Sequence, residues 1–194
     1  MMHPWHDLEP GPNPPDEMTV LVEIPRGSRN KYELDKSSGL FRLDRVLYSA
    51  VHYPGDYGFF PRSYALDDDP LDALVMVTVP TFPGCAIVAR PIALFRMTDR
   101  GEMDEKVLCV PVSDPLYDDY ETISDVPGHF LREVEHFFRV YKDLEGGRVQ
   151  SLGWEDDKAA RTVIVDALAR YELKRRREEM ERVVATSPRQ GLEL

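Results

Sequence analysis

Over its first two thirds the chain carries hydrophobic residues in short strand-like runs, and in the last third the pattern switches to a helical period. Thr19 to Pro25, T-V-L-V-E-I-P, is apolar and β-branched with a proline stop, as a strand should be. Asn30 to Asp35, N-K-Y-E-L-D, alternates polar and bulky residues and predicts a half-buried strand. K-S-S-G at Lys36 to Gly39 predicts a turn into a further strand. Leu71 to Val79 reads as a buried strand, Ala86 to Thr98 as a long one bent or interrupted at Pro91, and Lys106 to Val112 as one more. Short strands at close spacing, with no helices between them, predict an antiparallel sheet or small barrel.

A helix is expected from Ser124 or Asp125, with Pro127 in its first turn, to about Tyr141, burying Val134, Phe137, Phe138 and Tyr141. A second is expected from near Trp154, burying Ala160, Val163, Ile164, Ala167, Leu168 and Tyr171. Beyond Tyr171 the residues are mostly charged, and pairs such as Lys174–Glu178 and Arg175–Glu179 suit a solvated helix. These patterns divide the chain into an irregular Pro- and Gly-rich arm (1–17), one folded domain (18–172) and a charged helical extension (173–194).

Composition narrows the class. The chain has 194 residues, 42% of them hydrophobic and 30% charged, with a net charge of −11. That is enough chain for one core, and its field repels nucleic acid and anionic lipid. It also repels phosphates, unless divalent cations bind first. The first residues lack the basic flank and apolar stretch of a signal peptide, and no apolar run reaches membrane-spanning length, so a cytoplasmic protein is expected. Cys85 and Cys109 lie in strand-like runs without metal-ligand spacing and read as two buried thiols rather than a disulfide or zinc site. His3 and His6 fall in the arm and read as solvated; His129 and His136, seven apart on one helix, suggest packing or subunit contact.

The densest chemistry is A-L-D-D-D-P-L-D-A-L at Ala65 to Leu74. Four aspartates in six positions are an exposed acidic loop or a cation site, and continuity with an apolar strand favours the site. Oxygen donors select magnesium, manganese or calcium over zinc. A calcium EF-hand fails, because Asp72 stands where its glycine belongs and Thr78 where its glutamate belongs. Around Gly101, Asp99 and Asp104 flank a hairpin; Asp104 with Lys106, and Lys31 with Glu33, each share one strand face. Each pair alone is an ordinary surface ion pair. Together they supply carboxylates for cations and cations for phosphate oxygens. Arg45, Tyr57, Tyr141 and Lys142 are further candidates.

In order along the chain stand V-E-I-P, K-Y-E-L-D-K, L-D-R, Y-P-G-D-Y-G-F, D-D-D-P-L-D-A, M-T-D…D-E-K and H-F-F…Y-K-D-L-E. Over roughly Val20 to Tyr171 this resembles the soluble family I inorganic pyrophosphatases. The resemblance implies a mainly β fold with α-helices, an OB-like five-stranded antiparallel barrel with C-terminal helices packed outside. It implies Mg²⁺-dependent hydrolysis of pyrophosphate, with Mn²⁺ as a substitute and Ca²⁺ inhibitory. Carried over by position, Asp67, Asp72 and Asp104 hold the tightest cation, Asp99 joins Asp104 at another, and Glu33 holds a cation arriving with substrate. Asp69 is the general base; Lys31, Arg45, Tyr57, Lys106, Tyr141 and Lys142 hold phosphate oxygens; Glu23 stands behind the ligands or holds a water. A homo-oligomer is implied, a hexamer ahead of a dimer. Asp56 and Arg100 depart from the usual pattern at positions that bear on metal affinity. The competing classes are a non-catalytic OB-type binding module and a structural calcium protein; the acidic balance and the lack of an aromatic–basic stripe speak against nucleic acid.

Overall fold

The computed structural model describes residues 3–186; residues 187–194 of the expected charged extension lie outside the described residues. Among the described residues eight strands form: β1 (Met18–Ile24), β2 (Asn30–Asp35), β3 (Leu40–Val46), β4 (Asp56–Phe59), β5 (Asp72–Val75), β6 (Ala86–Asp99), β7 (Glu102–Pro111) and β8 (Val149–Glu155). The helices are α1 (Pro4–Asp7), α2 (Gly128–Val140) and α3 (Asp157–Thr186). None of them is long and apolar enough to cross a membrane.

The main sheet runs β1-β4-β5-β7-β6-β8, and β1 pairs with β6 as well, so the ladder returns to its first strand. The hairpin β2–β3 forms a separate two-stranded sheet. The antiparallel expectation needs correcting at one pairing, and the sheet gains a strand beyond the expected five. β5 runs parallel to β7, with Asp72 opposite Lys106, and β8 adds a sixth strand against β6. β8 eludes a period-2 reading because Gly153, at φ 97°, and a register shift between Arg96 and Met97 break its alternation. The long β6 carries another irregularity between Pro91 and Ala93, where proline cannot donate to the ladder.

Alternate side chains of the central strands enter two different cores. Ala73 and Val75 of β5, with Val107 and Cys109 of β7, pack with Ala160, Val163, Ile164 and Ala167 of α3. Leu74, Leu108 and Val110 point the other way, to Val134, Phe137 and Phe138 of α2. Strands covered on both sides read as continuous hydrophobic runs, hence V-L-C-V at 107–110.

Helix starts differ from expectation. Residues 123–125 make a separate single turn, capped reciprocally by Thr122 and Asp125. Pro127 becomes the N-cap of α2 rather than part of its first turn, because the residue before a proline, Val126, is held extended. Trp154 belongs to β8, its ring 5.0 Å from that of Phe95. α3 begins three residues later, where the Asp156 carboxylate accepts the Ala159 N–H at 3.0 Å.

The arm is more tied down than its composition suggests. Trp5 is buried with Tyr64 and Tyr171, and its indole N–H donates to the Ser63 carbonyl at 3.0 Å. His3 and His6 are half-buried rather than solvated, His6 lying 2.8 Å from the Tyr171 hydroxyl. Cys109 is buried, but Cys85 sits half-exposed in the loop before β6, and both are free thiols. His129 and His136 are exposed on α2.

Candidate active site

A cavity of about 350 Å³ opens where β2, β4, β5, β6, β7 and the end of α2 meet. Every residue singled out above for catalysis, cation or phosphate binding lines it, except Arg45: Glu23, Lys31, Glu33, Tyr57, Asp67, Asp69, Asp72, Asp99, Asp104, Lys106, Tyr141 and Lys142. Arg45, opposite Lys31 in the β2–β3 register, lines an adjoining recess shared with Lys31, Glu33, Asp99 and Lys142. It is held there by Glu145 at 2.9 Å and by Asp44.

Strand geometry explains the convergence. Residues two apart project from one strand face, so β2 presents Lys31 and Glu33 together and β7 presents Asp104 and Lys106 together. The parallel β5–β7 register brings Asp72 alongside Lys106. Across the β6–β7 hairpin Asp99 stands opposite Glu102, and Asp104 opposite Met97, so the two aspartates are diagonal neighbours rather than a facing pair. Tyr141 caps α2, placing Lys142 at the rim.

Carboxylates and ammonium groups alternate around the cavity. The buried Lys106 Nζ lies 2.8 Å from both Asp72 Oδ2 and Asp104 Oδ1 and 2.9 Å from the Tyr57 hydroxyl, which itself donates to Asp72. Lys142 pairs with Asp99, Lys31 with Glu33, and Lys36 with Asp69. Lys36 is a cavity-lining cation that the motif reading passes over, because it sits in a turn and its partner is 33 positions away.

Burial would depress the Lys106 ammonium, but Asp104 and Asp72 override it and hold its pKa well above the ordinary value. Burial raises the Asp104 carboxyl, with Asp72 adding to the rise against the pull of Lys106. Partial burial and Asp104 together raise Asp67. Burial pushes Glu23 up to about 8, although its carboxylate accepts the Leu34 N–H at 2.8 Å. Burial and the nearby Asp72 raise the Tyr57 phenol well above its usual range, so it stays a donor.

The donor set suits a hard divalent cation: oxygen ligands, no histidine or cysteine, and several carboxyls that resist ionising without a positive charge nearby. Asp99 Oδ1 is buried without a hydrogen-bond partner, an orphan acceptor that a cation would satisfy. Among the described residues no three carboxylates converge closely enough to hold an ion as they stand. Lysines occupy the space between them.

Of the two departures, Asp56 is turned away from the cavity. It is fully buried, and its carboxylate accepts from the Arg26 N–H at 2.7 Å and from the Thr81 N–H and hydroxyl at 3.0 and 2.6 Å. Arg100, at φ 53°, lies at the rim beside Asp99 and Asp104.

The family model described as inorganic pyrophosphatase matches residues 20–172. An inorganic pyrophosphatase from Haloferax volcanii is 53% identical over 173 residues, covering 89% of this chain and 98% of its own. One from Synechocystis is 51% identical over 154 residues, covering 79% and 91%. The crystal structure of inorganic pyrophosphatase from Thermus thermophilus superposes with a TM-score of 0.85 at 41% identity, covering 88% of this chain and 99% of that one. The chain belongs to the family I inorganic pyrophosphatases, a family of hydrolases.

Proposed function

We propose that this chain hydrolyses inorganic pyrophosphate to two phosphates with Mg²⁺, Asp69 acting as general base. The observation that carries the reading is the cavity itself, where carboxylates alternate with ammonium groups and phenols. Asp67, Asp72 and Asp104 would hold the tightest cation, Asp99 with Asp104 another, and Glu33 one that enters with substrate. Bound Mg²⁺ supplies charge neutralisation and lowers the pKa of a nearby water, with Mn²⁺ as a substitute and Ca²⁺ inhibitory.

The chain's own residues carry the remaining work. Lys31, Arg45, Lys106 and Lys142 neutralise phosphate oxygens, and the Tyr57 and Tyr141 phenols donate to them. Lys106 lies between Asp72 and Asp104, so a cation held by those two carboxylates would release its ammonium to a phosphate oxygen. Asp69 stands on an exposed loop and gives up its pairing with Lys36 to take a proton from the attacking water. Arg45 and Lys142, at the rim, suit the departing phosphate. Glu23, which accepts the Leu34 N–H, orders a ligand or a water. The ring of pairings through β1, β4, β5, β7 and β6 is read as the OB-like barrel, with residues 18–172 as the catalytic domain; the working protein is cytoplasmic and homo-oligomeric, a hexamer ahead of a dimer.

The test is Asp69→Asn. It should lower kcat for pyrophosphate by about 10²- to 10⁴-fold, while Mg²⁺ still raises the melting temperature. A variant with wild-type kcat would remove Asp69 from its role.

A further inference from the structure

The helix α3 continues past residue 172, where the family match ends, and its next turn reaches back to the aspartate loop. Three attachments tie α3 to residues 64–68. The Tyr64 N–H donates to the Ala167 carbonyl at 3.0 Å, the Arg170 Nε donates to the Tyr64 carbonyl at 2.9 Å, and Lys174 Nζ lies 2.9 Å from Asp68 Oδ1. The same ammonium stands 4.1 Å from the Tyr64 ring centroid, within cation–π range. Tyr64 is buried against Trp5 and Tyr171, which makes it a fixed platform.

Asp68 is the residue that turns the loop. It adopts φ 63°, the left-handed conformation, between Asp67 and Asp69. Its side chain points out to Lys174, whereas those of Asp67 and Asp69 line the cavity. Inside the loop the Asp69 N–H donates to Asp67 Oδ1 at 3.1 Å and the Ala65 N–H to the Asp69 carbonyl at 2.7 Å, so hydrogen bonds brace the turn on both sides of Asp68.

We propose that Lys174 is a positioning residue: by holding Asp68 against the Tyr64 platform, it sets where Asp67 and Asp69 stand and so tightens cation binding. This rests on the reading of Asp67 as a cation ligand. Asp68 is 81% exposed, so water screens the pair, and the expected effect is a small factor.

The experiment is calorimetric titration of Mg²⁺ into the full chain, for the wild type, Lys174→Met, Lys174→Arg, Asp68→Asn and the double variant K174M/D68N, with pyrophosphate kinetics alongside. Asparagine tolerates the left-handed conformation, so D68N removes charge without straining the turn. K174M should weaken Mg²⁺ binding about two- to five-fold. K174R should stay near wild type, and D68N should match K174M with no further loss in the double variant. The melting temperature in chelator should be the same for all. An unchanged Mg²⁺ isotherm in K174M, a loss in K174R equal to that in K174M, or losses that add in the double variant would each overturn the proposal. A wild-type chain that binds Mg²⁺ but releases no phosphate would sink the pyrophosphatase reading alone, because the difference between isotherms would still report on Lys174.

Discussion

Lys106 shows how one residue can hold a site together. Its ammonium is buried among Asp72, Asp104, Tyr57 and the Phe138 ring, and the two carboxylates keep it charged. Among the described residues Glu23 has no such counter-ion within hydrogen-bonding reach, and burial raises its carboxyl to about 8. The sign follows directly. An unfolded Glu23 loses its proton near the ordinary 4.5, whereas the folded one keeps it to about 8. The folded state therefore binds the extra proton within that window, and stability is greatest below it and falls as pH rises through it. With divalent cations removed by chelator, the melting temperature should drop between pH 5 and 8, and Glu23→Gln should make the slope shallower. It should not abolish the slope, since Asp67 and Asp104 are raised as well. An equal slope in wild type and E23Q, followed by calorimetry, would show that Glu23 ionises freely.

Among the elements, β4 carries the tightest steric demand. A Cβ built on Gly58 would stand 2.0 Å from the Leu21 carbonyl oxygen, so β1 and β4 approach this closely only at a glycine. Gly58→Ala should cost about 2–3 kcal/mol of stability, read from the urea midpoint. It should also lower activity, because Tyr57 is the next residue; an unchanged midpoint would mean that the strands part without cost. Elements were legible in the sequence where their pattern is local. β2 is predicted at its observed ends, and the alternation of Lys31 and Glu33 places both in the cavity. β8 was not legible, because Gly153 and a register shift interrupt its alternation. Nor was the exact start of α3, where the Asp156 cap decides the boundary rather than the apolar stripe. The short β5 was read too long, since Val77 to Val79 continues the hydrophobic run after the strand has ended at Val75.

At the scale of the whole molecule, two helices cover alternate side chains of one sheet and leave a charged cavity at the strand ends. Motifs far apart in sequence converge there because register, rather than proximity along the chain, places them: Asp72 beside Lys106 through a parallel pair, and Lys31 beside Arg45 through a hairpin. The motif residues were legible for this reason, since each block keeps its own local spacing. The lysines that pair with the aspartate loop were not. Lys36 looked like a turn residue and Lys174 like one charge in a solvated helix, yet Lys174 bonds a residue 106 positions away instead of Glu178, and Arg175 takes Glu178. The net charge of −11 makes the same point, because an acidic chain can gather phosphate only where cations and a few lysines reverse the local field. The most direct measurement is phosphate release from inorganic pyrophosphate by the purified chain at neutral pH, with and without Mg²⁺. A pyrophosphatase built on this cavity releases phosphate with Mg²⁺ and ceases in chelator; no release with Mg²⁺ present would contradict it.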